Sequence, residues 1–259
     1  MATSDRSFDG ISEHFARKIY GGIKGQIRLD VLWRDISESL PDFLSKPRTV
    51  LDVGAGLGQI AIRLAKAGHR VEVNDISEEM LSLAQQTARE SGVQGKIGWH
   101  HSPLQDLPTL LPHQFDLVMC HAVLEWLANP SEAIQVLDAL VKEGGWLSLT
   151  FYNRDALVYR NLIRGNFNKA ISNDFAGDPN SLTPPNPLTA SEVERWLHQQ
   201  GFEVMVKSGI RVFNDYVRDP RGGNSLPEAV REMELLHSNQ EPFIGLGRYI
   251  HFLCRRKTP

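Results

Sequence analysis

Between residues 49 and 152 the chain alternates short apolar runs with longer segments whose apolar positions recur at helical spacing. The run at 49–54 predicts a buried strand. Residues 59–67 then read as a helix stopped by Gly68, a residue suited to the left-handed turn beyond a helix end. A second strand is predicted at 70–75. Ser77 follows as a helix N-cap, with Glu78 and Glu79 in the first turn, where the helix dipole favours acids. Met80, Leu81, Leu83 and Ala84 give that helix its apolar face. Residues 96–102 predict strand three, and residues 115–122, nearly all apolar, a central parallel strand. Asn129-Pro130 opens a further helix, with Pro130 at its first position, and Gly144-Gly145 is expected to end it. Residues 146–152 predict strand five. Repeated βαβ units of this kind imply a parallel sheet with helices on both faces.

The last third reads differently. Thr189-Ala190-Ser191-Glu192 is a capping box that opens a helix running to about Gly201. Two more strands are predicted at 202–213 and 249–255. Three segments fall outside this frame: an N-terminal helical lid at 1–45, and cap insertions at 153–188 and 214–247, around a cofactor-binding half at 46–152. All are expected to form one domain. Ligands of open α/β sheets sit beyond the carboxyl ends of the strands, so the insertions are expected to cover that end. The stretch 173–187, rich in Asn, Pro and Asp, reads as a mobile loop.

The chemistry begins at Val50-Leu51-Asp52-Val53-Gly54-Ala55-Gly56-Leu57-Gly58-Gln59, a strand running through a glycine turn into a helix. Glycines let the backbone approach a ligand, and the helix start presents unpaired amides. A dinucleotide fold asks for a third glycine where this chain has Gln59. The spacing D-x-G-x-G-x-G instead resembles the first motif of class I S-adenosylmethionine-dependent methyltransferases. Asp75, ending the second strand, suits two ribose hydroxyls, because a carboxylate accepts both. That role serves NAD and S-adenosylmethionine alike.

Composition narrows the class. Hydrophobic residues make up 41% and charged residues 23% of the 259, an ordinary globular balance. No apolar run approaches the ~20 residues that span a bilayer. The N-terminus has no apolar stretch of the secretory kind, so no signal peptide is expected. Cys120 and Cys254 are too few and too far apart for a disulfide scaffold or a zinc site, which fits a reducing cytoplasm and no metal. The net charge of −3 does not announce nucleic-acid binding. A local patch remains open: Arg154, Arg160, Arg164 and Lys169 face one acid, Asp155, and Arg160 and Arg164 are spaced to share a helix face.

Several phrases together resemble the bacterial tRNA 5-carboxymethoxyuridine methyltransferase family over nearly the whole chain. They are FARKIYGGIKG at 15–25 with Arg28, HAVLEW at 121–126, Phe151-Tyr152-Asn153, Gly165-Asn166-Phe167, RVFNDY at 211–216 and QEPFIGLGRYIH at 240–251. The resemblance implies a Rossmann-like α/β sheet, parallel but for an antiparallel C-terminal pair, with helical cap insertions. It implies an enzyme that esterifies the carboxylate of 5-carboxymethoxyuridine at the wobble position, U34, with S-adenosyl-L-methionine as cofactor and the tRNA anticodon loop as partner. A small-molecule O- or N-methyltransferase with the same cofactor site is the alternative. Carried onto this chain, the cofactor contacts are Arg28, Gly54, Ala55, Asp75, Leu104, Gln105 and His121. Asp52 and Gly56 join them from the glycine turn. One departure stands out: the family's basic run after Gly-Asn-Phe has no counterpart in residues 171–186, which hold Asp174 and Asp178 and no lysine or arginine.

A carboxylate is ionised at neutral pH, so this transfer requires no general base. What the enzyme offers is alignment and exclusion of water. The candidates for positioning substrate are Tyr20, Tyr152, Asn153, Arg211, Tyr216 and Arg248, with His251 beside them. Tyr20 or Tyr216 could stack on an unpaired uracil. His100 and His101, adjacent on a strand, point to opposite faces and cannot chelate together.

Overall fold

The computed structural model describes residues 7, 9–10, 22–172, 175 and 183–258. Helix α1 (Ile23–Ser39) leads into β1 (Thr49–Val53), α2 (Gln59–Lys66), β2 (Arg70–Asp75), α3 (Glu78–Glu90), β3 (Ile97–His101), a short α4 (Leu107–Leu110), β4 (Phe115–His121), α5 (Pro130–Leu140) and β5 (Val141–Tyr152). Then come α6 (Arg154–Leu162), α7 (Phe167–Ser172), α8 (Ala190–Gln199), β6 (Phe202–Ile210), α9 (Pro227–His237) and β7 (Tyr249–Arg256). The strands form one sheet in the order β3-β2-β1-β4-β5-β7-β6. Strands β1 to β5 pair in parallel, while β7 runs antiparallel between β5 and the edge strand β6. The expected sheet, antiparallel ending included, is therefore present.

Local chemistry fixes most boundaries. Ser77 caps α3 by accepting the Met80 amide, and the Thr189–Glu192 capping box is complete in both directions. Gly68 takes the left-handed turn after α2 at φ 104°. Gly144-Gly145 does not end α5, as its position suggested. That helix stops at Leu140, and Val141 already pairs with Phe115 in the sheet. The next pair is Leu117 with Trp146, so residues 142–145 bulge from β5, and Gly144 supplies the positive φ of 66° that the bulge needs. Strand β6 is also shorter than expected. It ends at Ile210 because Arg211 turns the chain at φ 63°.

Side-chain alternation sorts the sheet into two faces. Leu51, Val53, Val118, Cys120, Leu147, Leu149 and Phe252 pack under α5 and α8. The other face carries Val50, Val73, Leu117, Met119 and Leu253 beneath Ile27, Val31, Leu32 and Ile36 of α1. Polar residues interrupt this second face toward the strand ends: Asp52, Ser148 and His251 share the parity of Val50, Trp146 and Leu253. Of the expected lid at 1–45, residues 23–39 are thus a helix packed on the sheet. Tyr20 lies outside the described residues, as does most of the loop expected at 173–187. No helix among the described residues is long and apolar enough to cross a membrane.

Candidate active site

The glycine turn closes over the carboxyl ends of β1 and β2. Gly54, Gly56 and Gly58 all adopt positive φ, at 63°, 56° and 63°. A Cβ on Gly54 would in addition collide with the Val123 side chain. The Gly56 amide donates to Asp75 Oδ2 at 2.7 Å and the Ser77 amide to Oδ1 at 2.9 Å. A carboxylate has about four acceptor sites, so Asp75 is held by the turn and keeps capacity for hydroxyl donors. Burial raises its pKa, against the pull of the Ser77, Gly56 and Ile76 amides. Leu104 and Gln105 occupy the short turn after β3, Leu104 buried and Gln105 exposed. This cradle fits an adenosyl group: close backbone, an acid anchored at the end of β2, and an apolar wall.

Unpartnered acceptors gather beside it. Asp52 is buried, its Oδ2 has no hydrogen-bond partner, and no amide of the glycine turn bonds to it. Burial, reinforced by Asp75, pushes its pKa up to about 8. Gln59 Oε1 is likewise buried without a partner. Glu125, wholly buried in the turn after β4, has no hydrogen bond of normal geometry at either oxygen. Burial takes its pKa to about 8, although the Glu125 and Tyr152 amides and the Arg28 charge favour the ionised form. His121 ends β4, with Nε2 2.8 Å from Ser148 Oγ. Its pKa is driven well below the usual histidine value, chiefly by burial. The chemistry of this donor-poor pocket suits a cation.

A cationic cluster stands near these acceptors, with Arg28 close enough to act on both Glu125 and His121. The Arg28 guanidinium sits 4.8 Å from the Tyr249 ring centre and Arg211 5.7 Å from it. Arg248 lies 4.8 Å over the Tyr152 ring, and the two tyrosines meet edge to face at 5.4 Å. Asp215 balances part of this charge, 3.5 Å from Arg211 and 3.9 Å from Arg248. Arg160 leans into the same space. Its pKa is lowered by burial and then by Arg248 and Arg164. Tyr152 Oη, Arg248 Nη1 and Arg160 Nε are all buried with no hydrogen-bond partner. Unsatisfied buried donors are costly in a folded chain, and here three of them face a site rich in positive charge.

Other expected residues have been absorbed by the fold. Asn153 caps α6 by accepting the Asp155 amide and donates to the Gly245 and Gly247 carbonyls, both at 2.9 Å. It holds the 245–247 turn in place instead of projecting into the pocket. The Tyr216 hydroxyl donates to the Leu246 carbonyl at 2.7 Å, and its ring packs on Tyr159. Arg160 and Arg164 do not share a helix face, because α6 ends at Leu162 and Arg164 stands in the exposed turn beyond it. His100 bonds Glu72, and His101 meets the Ile76 carbonyl. Among the described residues no group of three or more His, Cys, Asp or Glu could hold a metal ion. Asp35, Ser148 and Glu125 escaped the sequence reading. Asp35 and Ser148 did leave a signal: each is a polar residue at an apolar-face position, Asp35 next to Ile36 in α1 and Ser148 between Trp146 and Thr150 in β5.

Comparison with known proteins agrees with this geometry. A family model described as a methyltransferase domain matches residues 51–149. The ubiquinone biosynthesis O-methyltransferase of Bordetella bronchiseptica is 36% identical over 108 residues, which is 42% of this chain and 44% of that protein. Magnesium protoporphyrin IX methyltransferase from Synechocystis, solved with SAH bound, matches over 96% of both chains with a TM-score of 0.63; at 20% identity it carries the fold alone. The tRNA 5-carboxymethoxyuridine methyltransferase of Escherichia coli strain K12 is 40% identical over 252 residues, covering 97% of each chain. That match runs through the cap insertions, where the domain model stops. The chain belongs to the tRNA 5-carboxymethoxyuridine methyltransferase family.

Proposed function

We propose that this chain transfers a methyl group from S-adenosylmethionine to the carboxylate of 5-carboxymethoxyuridine at the wobble position of tRNA, giving the methyl ester 5-methoxycarbonylmethoxyuridine. The observation that carries this reading is the trio of unpartnered buried donors, Tyr152 Oη, Arg248 Nη1 and Arg160 Nε, beside the glycine cradle. A carboxylate supplies the acceptors that they lack and the negative charge that Arg248, Arg211 and Arg160 call for.

In this reading Gly54, Ala55 and Gly56 line the adenosyl group, Asp75 accepts from the ribose, and Leu104 and Gln105 flank the base. Arg28 pairs with the methionine carboxylate, while Asp52 and His121 stand by its ammonium. When bound, S-adenosylmethionine supplies an electrophilic methyl on a positive sulfur. The protein's part is to orient and dry the site. A fully clamped carboxylate would be a poor nucleophile, so Arg248 and Tyr152 hold one oxygen and leave the other free to attack in line. No side chain has to remove a proton, because the acceptor is already ionised.

For the RNA itself, the exposed surface beyond α6 offers Arg164 and Lys169 with Phe167 and Ile171. Basic and aromatic groups of this kind suit an unpaired loop. A tRNA substrate, together with two buried free cysteines, supports a cytoplasmic setting. A comparison of two tRNAs tests the proposal, one carrying 5-carboxymethoxyuridine and the other 5-methoxyuridine at the wobble position. Turnover is expected with the first only. Equal methylation of both would contradict a carboxylate acceptor.

A further inference from the structure

A chain of buried polar side chains runs from His121 to the far side of α1. His121 Nε2 lies 2.8 Å from Ser148 Oγ, and Ser148 Oγ lies 2.8 Å from His251 Nε2. His251 Nδ1 is 2.7 Å from Asp35 Oδ2. Arg34 in turn donates to Asp35 Oδ1 from Nε at 2.9 Å and from Nη2 at 2.6 Å. Ser148 and His251 are 0% exposed and Asp35 is 3% exposed. Three elements far apart in sequence, α1, β5 and β7, therefore meet in one dry line. Such a network is kept only where each member is satisfied.

The direction of every bond in this line follows from its far end. Asp35 is an acceptor: burial opposes its ionisation, but His251 and Arg34 hold its pKa below the usual value. Arg34 already balances that charge, so a second proton on His251 would leave a buried cation uncompensated. With a single hydrogen on the ring, the arrangement that avoids such a cation, His251 carries it on Nδ1 facing Asp35, and its Nε2 can only accept. Ser148 has one hydrogen, and it must go to His251. Ser148 Oγ then accepts from His121, whose hydrogen is on Nε2. The hydrogen bond of the His121 ring is the one at Nε2, so the remaining nitrogen, Nδ1, carries the lone pair.

We propose that Asp35, His251 and Ser148 are positioning residues that fix His121 as a hydrogen-bond acceptor, so that its Nδ1 receives the α-ammonium of the methyl donor. The inference rests on the cofactor reading above. It separates the two ends of the donor's amino-acid tail: Arg28 takes the carboxylate, and His121 is barred from it by its own polarity. Which ring nitrogen of a histidine is protonated is set by the bond that the other one makes, and here that setting is made three side chains away.

Asp35→Asn tests the relay. The asparagine oxygen stays with Arg34, so its NH2 faces His251 Nδ1 and forces the His251 hydrogen onto Nε2. Ser148 must then accept from His251 and donate to His121, which is left with its hydrogen on Nδ1. Nitrogen NMR of imidazole-labelled protein near pH 7.5 reads this directly. The native chain is expected to show hydrogen on His121 Nε2 and on His251 Nδ1, and Asp35→Asn the reverse at both. Affinity for S-adenosylmethionine should fall about tenfold to a hundredfold in that variant, and less in Ser148→Ala, which frees His121 without reversing it. Affinity for a donor analogue with hydrogen in place of the α-amino group should be the same in native and variant chains. A native His121 with its hydrogen on Nδ1, a doubly protonated His251, or equal losses for donor and analogue would overturn the proposal. Failure of the native chain to bind the donor at all would remove the cofactor reading and this inference with it.

Discussion

The Arg248 guanidinium lies 4.8 Å over the Tyr152 ring, and each of these side chains ends in a buried polar atom with no hydrogen-bond partner. Free protein should therefore be more comfortable without the tyrosine hydroxyl than with it. Tyr152→Phe is expected to leave thermal stability unchanged or raised by about 1 kcal/mol. The same variant should lose about tenfold in kcat/KM for tRNA while keeping its affinity for S-adenosylmethionine. Arg248→Ala should lose about a hundredfold or more in kcat/KM, since a charged partner of the substrate goes with it. Melting curves and steady-state kinetics check both. A stability loss in Tyr152→Phe without a kinetic one would make Tyr152 a packing residue only.

Asp75 ties the glycine turn to β2 through the Gly56 and Ser77 amides. Its removal should affect cofactor affinity first. Asp75→Ala is expected to weaken S-adenosylmethionine binding more than tenfold, and Arg28→Ala to weaken it by a similar factor through loss of a charge-assisted pair. Calorimetric titration measures both. An unchanged affinity in Arg28→Ala would remove that residue from the cofactor site.

Asp52 gives the pH dependence. The folded protein keeps its Asp52 proton up to about pH 8, whereas the unfolded chain releases it near pH 4. Between those limits the folded state binds more protons, so the ligand-free protein loses stability as pH rises through the window. Asp52→Asn should remove its share of that slope and leave the share of Glu125, whose carboxyl burial also raises to about 8, stabilising the free protein at pH 8 and changing it little at pH 4. Binding of a cationic ligand should expel the proton. Titrations at pH 7 in buffers of different ionisation enthalpy are expected to register proton release on binding by the native chain and less by Asp52→Asn. Zero release from the native chain would contradict an Asp52 that faces the ligand.

Arg164 and Lys169 stand exposed beyond α6. Arg164→Glu combined with Lys169→Glu should weaken tRNA binding about tenfold at low salt and flatten its salt dependence, because fewer counterions are released. Cofactor affinity should not move. Filter binding over a salt series measures the slope, and an unaltered slope would place the RNA on another surface.

The cofactor half of this fold was legible because its signals are local. Buried parallel strands are runs of apolar residues, Ser77 and Thr189 cap their helices through bonds within three residues, and positive-φ turns select glycine at 54, 56 and 58. The error at Gly144-Gly145 was local too: paired glycines serve a bulge as well as a helix end, and only the pairing of Val141 with Phe115 decides between them. The pockets were legible in part. Residues at strand ends, such as His121 and Tyr152, could be placed from the topology. Asn153 and Tyr216 looked equally available, yet their polar atoms are taken by the Gly245–Leu246–Gly247 turn, which no spacing rule connects to them. Asp35 and Ser148 meet through His251 only once α1, β5 and β7 are packed, so their partnership had no trace in local sequence.

Methyl-labelled S-adenosylmethionine, supplied to the protein with tRNA from cells lacking this activity, reports the acceptor directly. Label is expected only on the wobble nucleotide of the anticodon and is released by mild alkali, as a methyl ester requires. An alkali-stable label, or one elsewhere in the tRNA, would rule out the carboxylate of the wobble nucleotide as the acceptor.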